Sequence, residues 1–415
     1  MAVNKYYGQN LVQGQNVIAP IFRIPPQKSS SFVYLTKRLS PADYHIIKRC
    51  RAVICEEGGS NDHAAVICRI LGRPLIILDQ ACKQLPDGCV VAIDGQTGAI
   101  ETGMNHSKQF LQPVTAFSGI AQFIAESQLK IQVSIVGEDE IKLVNKGFRK
   151  PVHQFFLREE LIWASEGLNP FKFIAKHGVD AAAKLLANHL NKCLKFLSDG
   201  QLINYRSLDW RPGYSDDDNE VLEPNPELGL HGVRRLLVQP EILIAELRAI
   251  QMIKRQDSKR IVFSLPFLTD QEELEAVRNI AAKQKVDKLR IGLFIETAAA
   301  VIEIKELITP DIVFVCIGTK DLTQMILGCD RNNKNVQHIY DCTKRPVTRA
   351  INAVLHTGSK AGKSVVVFSN LKDLKSIIKQ CPQIREISIC AGEYIQIQGL
   401  LEQGKKIFKY QVAQL

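Results

Sequence analysis

The stretch Glu56-Glu57-Gly58-Gly59-Ser60-Asn61-Asp62-His63-Ala64-Ala65-Val66-Ile67-Cys68-Arg69 comes directly after a β-type run, Ala52-Val53-Ile54-Cys55. The two glycines permit a tight turn, and Asn61 or Asp62 offers an N-cap to a helix that begins near His63. His63 then sits in the first helical turn. Unpaired backbone N–H groups and the positive end of the helix dipole favour an anion there, and imidazole is a nucleophile at neutral pH. Two readings of His63 stand at this point: an ordinary residue of a helix start, or the carrier of a phosphate held by that helix end.

A chain of 415 residues exceeds one ordinary core, so two domains are expected. Hydrophobic content of 46% and charged content of 23% are those of a soluble globular protein. No apolar run approaches the ~20 residues of a membrane helix, and Met1-Ala2-Val3-Asn4-Lys5 lacks an apolar signal core, so a cytoplasmic location without membrane contact is expected. The eleven cysteines contain no Cys-x-x-Cys pair, and several, such as Cys55, Cys316 and Cys390, fall in apolar runs; they read as buried reduced thiols. The formal charge of +10 suggests an anionic ligand, with +3 in residues 1–103 and +7 in the rest. Basic blocks interleaved with aromatics are missing, which argues against nucleic acid.

Residues 1–103 read as a small β/α/β domain with strands at Asn16–Ala19, Phe32–Leu35, Ala52–Cys55, Leu75–Leu78, Val90–Ile93 and Ala99–Glu101. One helix opens at Ser40-Pro41-Ala42-Asp43, with Ser40 as cap and Pro41 at the first helical position, and the other opens at His63. Residues 104–128, with Ser, Gln, Gly and Pro113, read either as a connector that lets the first domain swing or as a helix packed rigidly on the second domain. From residue 129 to 415, strand-like runs alternate with helical segments: Ile131–Val136, Val152–Leu157, Ile203–Arg206, Ile261–Leu265, Ile291–Ile295, Ile312–Ile317, Ser364–Val367 and Ile384–Ile389. Eight such runs over that length predict a (β/α)8 TIM barrel, and the fold class of the whole is α/β.

Polar residues interrupt these runs mainly at the C-terminal ends of strands, where such barrels keep their chemistry. Arg158 comes after the second strand, Arg206 ends the third, Glu296 comes after the fifth and Asp321 lies just past the sixth. Each alone reads equally as an incidental rim charge; four at one end of a barrel read as a site.

Longer segments carry a resemblance. Gly58-Gly59 through His63-Ala64-Ala65 to Arg69-Ile70-Leu71-Gly72-Arg73-Pro74 resembles the swivelling phosphohistidine domain of phosphoenolpyruvate-utilising enzymes, with its Gly-Gly-x-Thr-Cys/Ser-His-Ala-Ala pattern. Phe155-Phe156-Leu157-Arg158-Glu159-Glu160 is similar to the Gly-Leu-Leu-Arg-x-Glu segment of the phosphoenolpyruvate synthase branch, and Asn204-Tyr205-Arg206-Ser207-Leu208-Asp209 to its Tyr-Arg-Thr-Leu-Asp. Asn225-Pro226-Glu227-Leu228-Gly229-Leu230-His231-Gly232-Val233-Arg234-Arg235 resembles Asn-Pro-Met-Leu-Gly-x-Arg-Gly-x-Arg-Arg. Ile317-Gly318-Thr319-Lys320-Asp321-Leu322-Thr323-Gln324 and Gly328-Cys329-Asp330-Arg331-Asn332-Asn333 resemble Ile-Gly-Ser/Thr-Asn-Asp-Leu-Thr-Gln and Gly-x-Asp-Arg-Asp-Asn.

The resemblance implies a phosphotransferase. His63 would carry the phosphoryl group, Arg158, Arg206 and Arg331 would grip phosphate oxygens, and Arg234 would support the wall, with His231 and Lys320 also at substrate-binding positions. Glu296 and Asp321 match the family's metal ligands and would hold Mg2+. The substrates implied are phosphoenolpyruvate and pyruvate, and the family's barrels pair into homodimers. No ATP-grasp domain fits before His63, so charging by ATP would need a separate ATP-grasp subunit.

Several positions depart from the pattern. Asn61-Asp62 replaces Thr-Cys/Ser, placing a carboxylate whose repulsion of a phosphate is about 1–4 kcal/mol at ~4 Å unless it turns away. His231 stands in place of Arg and Lys320 in place of Asn, so Lys320 could compensate for His231. Phe368 stands where the family has a proton-shuttling Cys; Ser369 is a weaker donor, and Cys390 reads as a core thiol of the eighth strand. Three functions are open: a phosphoenolpyruvate synthase-type phosphotransferase, a phosphohistidine transferase to another acceptor such as a hydroxyl compound, or a non-catalytic relative that binds a phosphometabolite or partner.

Overall fold

Parallel strands need a crossover of a dozen or more residues, usually a helix, and the later part of this chain supplies one after nearly every apolar run. The computed structural model describes residues 4–27, 31–40, 43–57, 63–103, 118–146, 151–211, 223–286, 289–331, 333 and 335–412. The chain divides into two compact units, one of residues 1–125 with 164–167 and 390–415, the other of residues 126–163 and 168–389.

In the first unit β1 (Lys5–Tyr7), β2 (Gln9–Val12), β3 (Val17–Phe22), β4 (Val33–Arg38), β5 (Ala52–Glu57), β6 (Leu75–Ile77), β7 (Val90–Ile93) and β8 (Ala99–Thr102) form one sheet in the order β1-β8-β7-β3-β4-β5-β6-β2. Neighbours from β3 to β6 run parallel, and the other pairs are antiparallel. The two edge strands are joined by Gly8 alone, so the sheet curls until its edges approach. A Cβ on Gly8 would fall 2.3 Å from Ile76 Cγ2 and 2.7 Å from the Ile77 carbonyl oxygen, which leaves room only for glycine. Val17, Ile21, Leu35, Ile54, Val91 and Ile93 fill the core.

The reading of the sequence does not anticipate β1 and β2. Lys5-Tyr6-Tyr7 and Gln9-Asn10-Leu11-Val12 are short and half polar, as edge strands are. The helix expected at Ser40 begins instead at Tyr44 with Asp43 as N-cap, because a turn precedes it: the Asp43 carboxylate accepts the Ser40 N–H at 2.9 Å and the Ser40 carbonyl accepts the Asp43 N–H at 3.0 Å. Pro41 lies outside the described residues. After β5 the expected helix is present as His63–Ile70, with Ala64, Ala65, Ile67, Cys68 and Ile70 buried.

In the second part of the chain β9 (Lys130–Ile135), β10 (Val152–Arg158), β11 (Leu202–Arg206), β12 (Ile261–Leu265), β13 (Ile291–Ile295), β14 (Ile312–Gly318), β15 (Ser364–Phe368) and β16 (Glu386–Cys390) close a parallel barrel. β12 and β13 have the bounds expected from the sequence, and the other strands differ by one or two residues at one end or, in β9 and β16, at both. Phe156, Val262, Phe294, Phe314, Cys316 and Val366 pack together inside. None of the eleven cysteines is in a disulfide, and nine are buried. Among the described residues, no helix is long and apolar enough to cross a membrane.

At the start of β16, Glu386 closes a polar cluster: it bonds His153 Nε2 at 3.0 Å, accepts the Ser364 hydroxyl at 2.8 Å, and lies 3.8 Å from Lys130 Nζ. Burial opposes its charge, but the bonds from His153 and Ser364 outweigh it and hold the carboxyl below its ordinary 4.5. That contribution to stability is present above pH 4.5 and is lost as pH falls through the lower native value. Glu386→Gln is therefore expected to lower the urea midpoint at pH 7 and to flatten its acid decline; an unchanged acid limb would assign the decline to other groups.

Candidate functional site

β10 and β11 are in register, with Arg158 opposite Arg206, so two guanidinium groups leave adjacent strand ends at one level. Arg158 is 7% exposed, and its guanidinium carbon lies 5.1 Å from the ring centroids of both Phe156 and Phe368, an aromatic seat for a cation. Arg206 lies 5.5 Å from the Phe294 ring. It pairs with Glu160, and it reaches Asp209 Oδ2 at 3.5 Å and Glu296 Oε1 at 3.9 Å. Burial works against its charge, but these three carboxylates outweigh it and hold the guanidinium above its ordinary value.

The backbone after Arg206 is pinned from below. Glu246, on the helix Glu241–Met252, accepts the Tyr205 hydroxyl at 3.2 Å, the Ser207 hydroxyl at 2.5 Å and the Leu208 N–H at 3.1 Å. Glu159 accepts the Trp163 indole N–H at 2.7 Å. Burial, then the nearby Glu246, pushes the Glu159 carboxyl well above the usual range.

Beyond Arg206 the charges close a ring of four. Arg211 Nη2 and Arg331 Nη1 both donate to Asp321 Oδ1, at 3.0 and 2.9 Å; Arg331 Nη2 lies 3.0 Å and Arg211 Nε 3.7 Å from Glu227 Oε2. Burial opposes the charge of Asp321, yet Arg331 and Arg211 hold its carboxyl below the ordinary range. Asp209 is held well below it, against burial, by Arg211 and His231. Glu296 is the exception: burial, and after it repulsion from Asp321, pushes it up to about 7 despite Arg206. Its Oε2 accepts the N–H of Phe267, a non-glycine residue at φ +53, and a Cβ on Gly318 would fall 2.4 Å from its Oε1. Glu296 and Asp321 are hard oxygen donors of the kind a hard dication takes, with Asp321 also paired to Arg211 and Arg331. Among the described residues, His, Cys, Asp and Glu form no metal-holding group of three or more.

The structure thus gathers Arg158, Arg206, Glu296, Asp321 and Arg331. His231 is fully buried, with Nδ1 2.8 Å from Asp209 Oδ1 and Nε2 3.2 Å from the Glu227 carbonyl oxygen, so both nitrogens are engaged within the wall. Arg234 donates to the Leu228 carbonyl at 3.3 Å in the loop before it and to the Thr269 hydroxyl at 3.2 Å after β12, and its Nε lies 3.7 Å from Glu273 Oε1. Lys320 precedes Asp321 in the first turn of the helix Thr319–Leu327, and its carbonyl accepts the Tyr340 hydroxyl at 3.0 Å. His63 opens its helix as expected; its side chain and residues 58–62 lie outside the described part of the structure. Sequence reasoning does not single out Glu160, Asp209, Arg211 or Glu227. The first three stand within five residues of Arg158 or Arg206, which is the available signal; Glu227 lies in the Asn225–Arg235 segment, where its charge is the only signal.

A parallel barrel whose strand ends gather guanidinium groups and acids defines an anion-handling barrel protein. Residues 153–404 match the PEP-binding domain of PEP-utilising enzymes, and residues 30–98 match their mobile domain. The chain belongs to the family of PEP-utilising enzymes. It is 30% identical over 342 residues to a probable phosphoenolpyruvate synthase of Archaeoglobus fulgidus, covering 80% of this chain and 44% of that protein. It is 30% identical over 356 residues to the phosphoenolpyruvate synthase of Pyrococcus furiosus, covering 80% and 42%. With a protein of the phosphoenolpyruvate-dependent phosphotransferase system of Escherichia coli it shares 24% identity, covering 73% and 41%. The chain spans less than half the length of these relatives.

Glu246→Ala would remove the acceptor of three buried donors. The expected cost is about 3 kcal/mol or more in urea unfolding, at roughly 1–3 kcal/mol for each unmet group. A midpoint equal to wild type would show that Glu246 does not anchor the Arg206 strand end.

Proposed function

We propose that the chain is a phosphotransferase of the phosphoenolpyruvate synthase type, in which His63 carries a phosphoryl group between a separate ATP-dependent partner and pyruvate or phosphoenolpyruvate at the barrel mouth. The observation that supports this reading is the gathering of Arg158, Arg206, Arg211 and Arg331 with Glu296 and Asp321 at the strand ends. Guanidinium forks suit phosphate oxygens, and phosphoryl transfer depends on positioning and charge neutralisation more than on covalent help from the protein.

In the direction away from phosphoenolpyruvate, the His63 imidazole attacks phosphorus in line. The new P–N bond forms as the P–O bond to the enol oxygen breaks, and the electron pair stays on that oxygen as the enolate of pyruvate. Arg158 and Arg206 hold the phosphate oxygens, with Arg331 as a third cation. Glu296 and Asp321 would hold a magnesium ion, which when bound neutralises charge on the ligand's oxygens. His231 and Arg234 act by fixing the wall, and Lys320 adds a cation beside Asp321. A cytoplasmic homodimer paired through the barrel accords with this reading.

Phe368 favours a second acceptor. It ends β15 with its ring 5.8 Å from that of Phe156 and under Arg158, so a group able to move a proton is replaced by an apolar seat. A transfer to a hydroxyl compound needs no proton delivered to carbon, and the same carrier and cations would serve it.

Incubation with phosphate-labelled phosphoenolpyruvate and Mg2+ is expected to leave acid-labile label on the wild type and none on His63→Ala. Label acquired only from ATP and a partner protein would select the second acceptor. Absence of label under both conditions would overturn the carrier role of His63.

A further inference from the structure

The Glu227 carboxylate stands between two of the site's cations. Glu227 Oε2 lies 3.0 Å from Arg331 Nη2, 3.7 Å from Arg211 Nε and 3.4 Å from Gln324 Nε2. Its loop is braced to present it. Glu223 accepts the Leu230 N–H at 3.0 Å, and the Glu227 carbonyl meets His231 Nε2 at 3.2 Å. A guanidinium fork answers a planar carboxylate and a phosphate with the same donors, so the atoms that Glu227 engages are those a ligand anion would use.

We propose that Glu227 is a built-in competitor for the anionic ligand: its carboxylate occupies the place between Arg211 and Arg331, and ligand binding exchanges it for a phosphate or carboxylate group. This rests on the anion site of the proposed function and adds a selection rule to it. The exchange replaces a monoanion already in place, so a phosphate monoester of charge near −2 gains Coulomb attraction from the swap, whereas a monocarboxylate gains none. A second consequence lies in the ring of four. Asp321 bonds the same two guanidinium groups, so removing Glu227 from between them leaves Arg331 with Asp321 alone of the two acids it pairs with, and Arg211 with Asp321 and Asp209.

The test is calorimetric titration of the full chain with phosphoenolpyruvate and, separately, with inorganic phosphate, comparing wild type with Glu227→Gln and Glu227→Met. The expected result is about tenfold tighter binding of both probes by either variant, with Glu227→Asp close to wild type. Tight binding by the variants where the wild type binds neither probe supports the exchange equally. Anion binding by the wild type that neither Glu227→Gln nor Glu227→Met betters, where the variants melt cooperatively, overturns the exchange and leaves the anion site standing. A failure of wild type and folded variants alike to bind either probe overturns both. Two substitutions of different polarity are used so that a fold defect in one does not decide the outcome.

Discussion

A guanidinium group withdrawn from water has to meet an anion, and at the mouth of this barrel that requirement organises the surrounding residues. Moving one ion out of water costs several kcal/mol even after relaxation, and removing one member of a buried pair costs about 3–5 kcal/mol. Arg206 and Arg331 are 6% and 5% exposed, and each has at least two acids within 4 Å. Asp209 binds the groups together, lying near Arg206, Arg211 and His231 at once. Each of Arg206, Arg211 and Arg331 is therefore already committed to a protein acid, and ligand affinity is a difference between two sets of ion pairs.

The barrel makes those commitments exact enough to hold. Parallel register sets Arg158 level with Arg206, and closure of the sheet brings the ends of β13 and β14 to the same mouth. Glu246 fixes the chain as it leaves β11, and the left-handed Phe267 aims its N–H at Glu296. Gly318 clears the space beside that carboxylate. Strain and glycine thus fall where a polar group has to be aimed, as expected when backbone irregularity serves a site.

Much of this is legible in the sequence, and the illegible parts share a cause. Barrel strands are buried on both faces and read as apolar runs, so Ile261–Leu265 and Ile291–Ile295 are legible to the residue, whereas β1 and β2 bury one face of a few residues and leave little pattern. Arg158, Arg206, Glu296 and Asp321 stand out because a charge at the end of an apolar strand is conspicuous. Glu227 and Arg211 sit on loops, where charge is ordinary, and only the fold shows that residues 104 apart in sequence, Glu227 and Arg331, form a pair. The direction of a side chain is equally hidden: the sequence pattern places His231 among ligand-gripping residues, and its two nitrogens are spent inside the wall.

That geometry changes the weight of the departures from the family pattern. Taken singly, histidine for arginine at 231 and a glutamate at 227 would each draw positive charge from an anion site. In the structure the two positions touch. The Asp209 carboxylate, held ionised, only accepts hydrogen bonds, and so does the Glu227 carbonyl. His231 Nδ1 meets the first and Nε2 the second, so the ring is fixed between them. The same contact anchors the backbone from which the Glu227 carboxylate reaches Arg331. Here the His231 ring is held between Asp209 and the Glu227 carbonyl, the Glu227 carboxylate is received by two cations, and Lys320 stands in the turn beside Asp321, so the departures read as parts of one connected network.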